Sequence, residues 1–163
     1  MTRHLLILRH AKSSWADEHI GDWERPLTER GLRDAAAVGR TLRALSLVPD
    51  LILSSDAVRA QTTAQKAADA AGYPGKIVLS SQLYHARPEV MIDVIKAAPD
   101  TARRIMIVAH NPGLEDLVSR LTGEHVGLAT ATLVHIELPI TQWRDLEPAA
   151  GATLIDAWHA RDM

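Results

Sequence analysis

Arg9 and His10 stand side by side where the apolar run Leu5 to Leu8 ends, and an ordinary strand end has no need of that pair. Ser54, Ser55 and Arg59 follow a second apolar run, and His110 with Asn111 follows another. A phosphoryl group would use all of these side chains. It carries close to two negative charges at neutral pH and offers three acceptor oxygens. Arginine meets it with a planar fork of donors that stays charged at any useful pH. A neutral histidine ring nitrogen can attack phosphorus and later leave it. Arg9 and Arg59 are therefore candidates to clamp the group, His10 to attack it and His110 to donate a hydrogen bond as charge redistributes. Ser13 adds a hydroxyl and a backbone donor. Positive charge nearby disfavours the imidazolium, which keeps His10 in the form that attacks.

These segments meet only if the elements between them bring them together. Four short runs rich in Ile, Leu and Val, at residues 4–8, 50–53, 76–79 and 104–109, suit buried strands of a parallel sheet. Between them lie helical spacings. Thr28 caps a helix carrying Leu32, Ala35, Ala36, Val38, Gly39 and Leu42 at roughly one-turn intervals. Further helices are expected at 57–71 (closed by Gly72), at 88–97 (opened by Pro88) and at 112–121 (closed by Gly123). Alternation at 132–138 and 153–159 predicts two more strands, antiparallel at an edge, and Trp143 and Trp158 read as core residues of these edge strands. The alternation predicts a three-layer α/β/α sandwich with a mostly parallel central sheet. Ligands in such folds sit beyond the carboxyl ends of the strands, where the three polar segments fall.

Composition sets the boundaries of this reading. The chain has 163 residues, enough for one domain with a real core. It has no cysteine, so disulfides and thiolate ligation are excluded. Eighteen basic against 20 acidic side chains argue against a nucleic-acid or anionic-membrane binder, so positive charge must be local. The first apolar run is too short for a signal core or a membrane span, and the expected location is cytoplasmic. The eight histidines show no pair at helical ligand spacing, so a metal site is not expected.

Four segments, "RHAKSSW" from Arg9, "ERPLTERG" from Glu24, "SSDAVRAQTTA" from Ser54 and "VAHNPGLE" from Val108, resemble the histidine phosphatase superfamily, the phosphoglycerate mutase-like enzymes. The short chain with its "RPLT" and "HNPG" segments is most similar to the SixA-type phosphohistidine phosphatases. The resemblance spans the compact length of the small members and implies a single domain over residues 1–163. It implies a two-step reaction without metal or other cofactor. His10 matches the phosphorylated histidine, Arg9 and Arg59 the pocket arginines, His110 the second histidine, and Ser13 a position that often touches phosphate.

Two departures stand out. The usual Arg-His-Gly is Arg-His-Ala, so Ala11 must accept a backbone that glycine normally supplies. Members that cleave alkyl phosphates place a glutamate where this chain has His85. Glu89 is close in sequence but lies beyond the helix start at Pro88. An alkoxide is nearly as basic as hydroxide and must be protonated as it leaves, whereas an imidazole of pKa about 6.5 need not rely on a strong internal acid. The missing carboxyl therefore points to phosphohistidine, on a signalling protein that docks at an open pocket. His85, as an imidazolium, could instead serve as a weak acid, or could line the mouth with Tyr84.

Two rival readings stay open. One is a small-molecule phosphomonoesterase using His85 or Glu89 as acid; the other is a module that binds phosphate or phosphohistidine without turnover. Binding alone needs no nucleophile. Arg25, before Pro26, is a candidate third positive charge at the rim. Asp17, Glu18 and Asp22 read as a solvated acidic loop. Glu115 and Asp116 read as helix-start charges with no further role. Trp15 and Trp23 either cover the pocket or pack their loops onto the core.

Overall fold

The computed structural model describes residues 2–163. Its strands are β1 (Arg3–Arg9), β2 (Leu51–Ser55), β3 (Ile77–Ser80), β4 (Arg104–Ala109), β5 (Thr132–Leu138) and β6 (Thr153–His159). They form one sheet in the order β3-β2-β4-β1-β5-β6. The first four run parallel, whereas β5 is antiparallel to β1 and β6 to β5. Each expected strand is present, shifted by no more than a residue or two at its ends.

Four helices, α1 (Glu29–Ala44), α2 (Val58–Ala71), α3 (Pro88–Lys96) and α4 (Gly113–Thr122), cover the two faces. Alternation along the central strands divides the core. Leu6 and Leu8 of β1, with Met106 and Val108 of β4, pack with Val38 and Leu42 of α1 and the alanines of α2. Leu5 and Ile7, with Ile105 and Ile107, pack with Ile92 and Ile95 of α3 and Leu117 of α4. All four β1 leucine and isoleucine side chains are fully buried. Both faces being covered explains why these strands read as unbroken apolar runs.

The helix ends follow local chemistry. Thr28 Oγ1 accepts from Gly31 N at 3.0 Å and opens α1. Gly72 and Gly123 close α2 and α4 in the left-handed region, with φ of 72° and 75°. The alanine faces let α1 and α2 approach closely, and a Cβ at Gly39 would strike the Ala67 carbonyl. Trp143 is fully buried but sits in a short 3₁₀ turn after β5, not in an edge strand, where its indole N–H donates to Ala102 O at 2.6 Å. Trp158 does lie in β6, half-buried opposite Leu133. No helix among the described residues is long and apolar enough to cross a membrane.

Candidate active site

Sheet register places the two histidines. Arg9 pairs with Ala109, so the next residues, His10 and His110, leave β1 and β4 side by side. His10 N donates to Ala109 O at 3.2 Å, and the rings lie 5.3 Å apart. In the adjacent strand Ser54 pairs with Val108, which brings Ser55 to His110. Arg59 projects from the first turn of α2, after β2. Three loops at one sheet end thus border a single cleft of about 290 Å³, lined by every candidate from the sequence: Arg9, His10, Ser13, Arg25, Arg59, His85 and His110.

Hydrogen bonds settle where the protons sit. His10 Nδ1 lies 2.8 Å from the Ala11 carbonyl, which can only accept, so Nδ1 carries the hydrogen and Nε2 is bare. Burial, reinforced by Arg59, Arg9 and Arg25, lowers the His10 pKa to about 4, so the ring is neutral at pH 7. Ala11 N donates to Thr63 Oγ1 at 2.9 Å, and that hydroxyl donates to Arg59 O at 2.7 Å. Ala11 is not among the left-handed residues, so it accepts its place with no glycine-like backbone.

His110 is neutral too, its pKa pushed down to about 3 by burial and by the neighbouring His10, Arg59 and His85. Ser55 Oγ accepts from Ala57 N at 3.2 Å and shares a hydrogen bond with His110 Nε2 at 2.8 Å. His110 Nδ1, Arg9 Nε and Arg59 Nε are buried without a partner, as are Arg3 Nε and Arg104 Nε at the opposite end of the sheet.

The acidic loop differs from its expected solvated state. Asp17 and Glu18 are exposed, but Asp22 joins four side chains at the cleft. Its carboxylate accepts from Arg25 Nη1 and Arg59 Nη2 at 3.0 Å, Tyr84 OH at 2.6 Å and His85 Nε2 at 3.1 Å. Its backbone carbonyl accepts from Arg59 Nη1 at 2.7 Å. Hydrogen bonds from Tyr84, Arg25 and Arg59 outweigh partial burial and hold this carboxyl well below the usual carboxylate range. A run of acids looked like solvent-facing charge because the sequence gives no hint that Arg59 and Tyr84 reach it. The i,i+3 spacing of Asp22 and Arg25 was the one local signal.

Arg25 is buried where it borders the cleft. Its guanidinium lies 3.3 Å from the Trp15 ring centroid and also donates to Ser13 Oγ. Trp15 stays largely exposed over the cleft, while Trp23 donates its indole N–H to Asp56 at 3.0 Å. Glu115 exceeds its helix-start reading. It accepts from Leu128 N at 2.8 Å and Asn111 Nδ2 at 3.2 Å, and the Leu128 carbonyl in turn accepts from Arg9 Nη1 at 2.9 Å. This clamp fixes Arg9 from the far side. Glu89 does not border the cleft; it is exposed and paired with Arg120.

A larger cleft, about 740 Å³, opens at the opposite end of the sheet between Arg3, His4, Arg103, Arg104, Asp50 and Asp100. Its size does not make it the reactive site, since His4 is tied to His135 at 2.9 Å and two carboxylates offset the arginines.

Comparison with known proteins agrees with this geometry. The model of the histidine phosphatase superfamily (branch 1) matches residues 5–84. An uncharacterized protein of Mycobacterium tuberculosis is 32% identical over 158 residues, 89% of this chain and 95% of its own length. A Nakamurella multipartitia structure, provisionally named phosphohistidine phosphatase SixA, has a TM-score of 0.85 at 26% identity, covering 98% of this chain and 96% of that chain. Its provisional namesake from Agrobacterium tumefaciens has a TM-score of 0.82 at 29% identity, covering 96% and 97%. With residues, register and relatives in agreement, the chain belongs to the histidine phosphatase superfamily.

Proposed function

We propose that this protein is a phosphohistidine phosphatase, acting without a metal through a phosphorylated His10. The carrying observation is the bare His10 Nε2 in a cleft lined by Arg9, Arg25, Arg59 and His110. A phosphoryl group on Nε2 sits among these cationic and polar side chains. Arg9, Arg59 and Arg25 neutralise its charge, and neutral His110 donates to an equatorial oxygen as negative charge shifts during transfer. Ser13, held by Arg25, lies at the rim of the same pocket.

The substrate class follows from the acids available. Asp22 is the carboxylate bordering the cleft, and it is held too strongly ionised to protonate a leaving alkoxide at neutral pH. Glu89 is out of reach. An imidazole leaving group makes the smallest demand on such a site. The provisional names of the two structural neighbours agree with phosphohistidine as the substrate class, and our reading extends this to phosphohistidine on a signalling protein in the cytoplasm.

The test is brief exposure to a histidine-phosphorylated protein, followed by mass spectrometry under conditions that spare acid-labile phosphate. Label on His10, with release much faster than from glycerol phosphate, is the expected result. Equal release from the alkyl ester would favour a phosphomonoesterase instead. Binding without release would indicate a recognition module, and unaltered turnover in His10→Ala would remove His10 from the reaction.

A further inference from the structure

Hydrolysis of a phosphorylated His10 requires a water whose proton has somewhere to go. The arginines and Lys12 along the cleft are cationic and take none. His110 has its Nε2 engaged with Ser55 and its Nδ1 buried. Asp22 is spent on four donors. His85 remains, and its setting is unusual.

Because Asp22 Oδ2 only accepts, the 3.1 Å contact fixes the proton of His85 on Nε2 and leaves the Nδ1 lone pair free. Tyr84 and Arg59 hold the same oxygen in place, so the tautomer does not depend on one flexible carboxylate. The backbone of His85 is left-handed, with φ of 51°, a costly conformation for a bulky residue. Its surroundings hold it there. The following Ala86 carbonyl presses on the Cα of Gly113, where any Cβ would collide with it. The ring stands 5.4 Å from His110, which stands 5.3 Å from His10, so three imidazoles border one cleft.

We propose that His85 is the general base that activates water against phosphorylated His10, and that Asp22 is the residue that positions it; this rests on His10 being the phosphoryl carrier. Water oxygen forms the new P–O bond while the P–Nε2 bond breaks, its electron pair returning to Nε2. The water proton passes to His85 Nδ1, leaving an imidazolium beside the Asp22 carboxylate. The product is the phosphate dianion. His10 is again neutral with its proton on Nδ1, and His85 releases its proton to solvent. A base oriented by a hydrogen-bonded carboxylate is a recurring catalytic arrangement.

The experiment separates formation of the intermediate from its loss. His10 is first labelled with phosphoramidate, the donor is removed, and decay of the label is followed in the wild type, His85→Asn, His85→Gly and Asp22→Asn. Asn and Gly both accept left-handed backbone, and melting temperatures check the fold. The expected result is decay slowed about 100-fold in both His85 variants, within the usual range for general-base loss. Added imidazole should accelerate decay in His85→Gly, and Asp22→Asn should slow it about 10-fold, as loss of an orienting partner does. Wild-type decay in either His85 variant, or slowed decay that imidazole leaves unchanged, overturns the proposal. Failure to label wild-type His10 at all instead overturns the reading beneath it.

Discussion

Strand β1 carries a histidine at each end, and each meets a second histidine across the sheet. At the amino end, His4 Nδ1 and His135 Nε2 lie 2.9 Å apart with ring centroids 5.1 Å apart. At the carboxyl end, His10 and His110 have centroids 5.3 Å apart, yet neither bonds the other. The spacing is nearly equal, and burial lowers the pKa of His135 as it does those of His10 and His110. The difference lies in what surrounds each pair. In the first pair the two rings bond each other. In the second, Ala11 holds one ring and Ser55 the other, and His10 Nε2 stays bare in a cleft lined by Arg9, Arg25 and Arg59. Proximity and depressed basicity do not by themselves make a reactive site; a bare ring nitrogen among clustered arginines does.

The sharpest way to break this comparison is to delete one histidine at each end. His10→Ala should reduce phosphoryl release from phosphohistidine at least about 1,000-fold, as loss of a nucleophile does. His4→Ala should leave kcat/KM within about two-fold, because its partner is structural. Comparable losses from both would show that the internal pairing at the amino end is not the inert one. The arginines give a second contrast. Arg59→Ala should cost about 100- to 1,000-fold in kcat, the usual effect of removing a transition-state donor. Arg104→Ala, at the other cleft, should change stability but not kcat. Steady-state rates with paired melting curves check both.

Much of the reactive end was legible because it depends on where strands stop. An apolar run ending in Arg-His, and another ending in His-Asn, locate those residues at the same sheet edge once the strands are parallel and adjacent. Arg59 was reachable by the same logic, since it opens the helix after β2. What supports these residues was not legible. Asp22 reads as one of several loop acids until Arg59, Tyr84 and His85 converge on it from positions 37, 62 and 63 residues away. Glu115 looked sufficient as a helix-start charge, because its bond to Leu128 N depends on a loop whose path no periodicity reveals. Trp143 was placed in the core correctly but in the wrong kind of element. Burial leaves a mark in residue type, whereas a single 3₁₀ turn after β5 does not.

The smallest predicted effect tests whether the two buried, neutral imidazoles at the reactive end cost the fold something. Unfolded histidine titrates near 6.5, whereas His10 in the folded protein titrates near 4 and His110 near 3. Between those values the unfolded chain binds protons that the native chain refuses. Stability therefore rises with pH in this window and falls as the solution is acidified below about 6.5. Each histidine should contribute a slope of up to about 1.4 kcal/mol per pH unit, the slope from His10 ending near pH 4 as its folded form protonates. Urea unfolding at pH 7, 6, 5 and 4.5 would measure this directly. His110→Gln keeps a polar side chain but cannot titrate, so its stability curve should be flatter than wild type over that interval. A curve as steep as wild type would mean that His110 titrates alike in the folded and unfolded chain, and that burial beside His10 and Arg59 does not depress it.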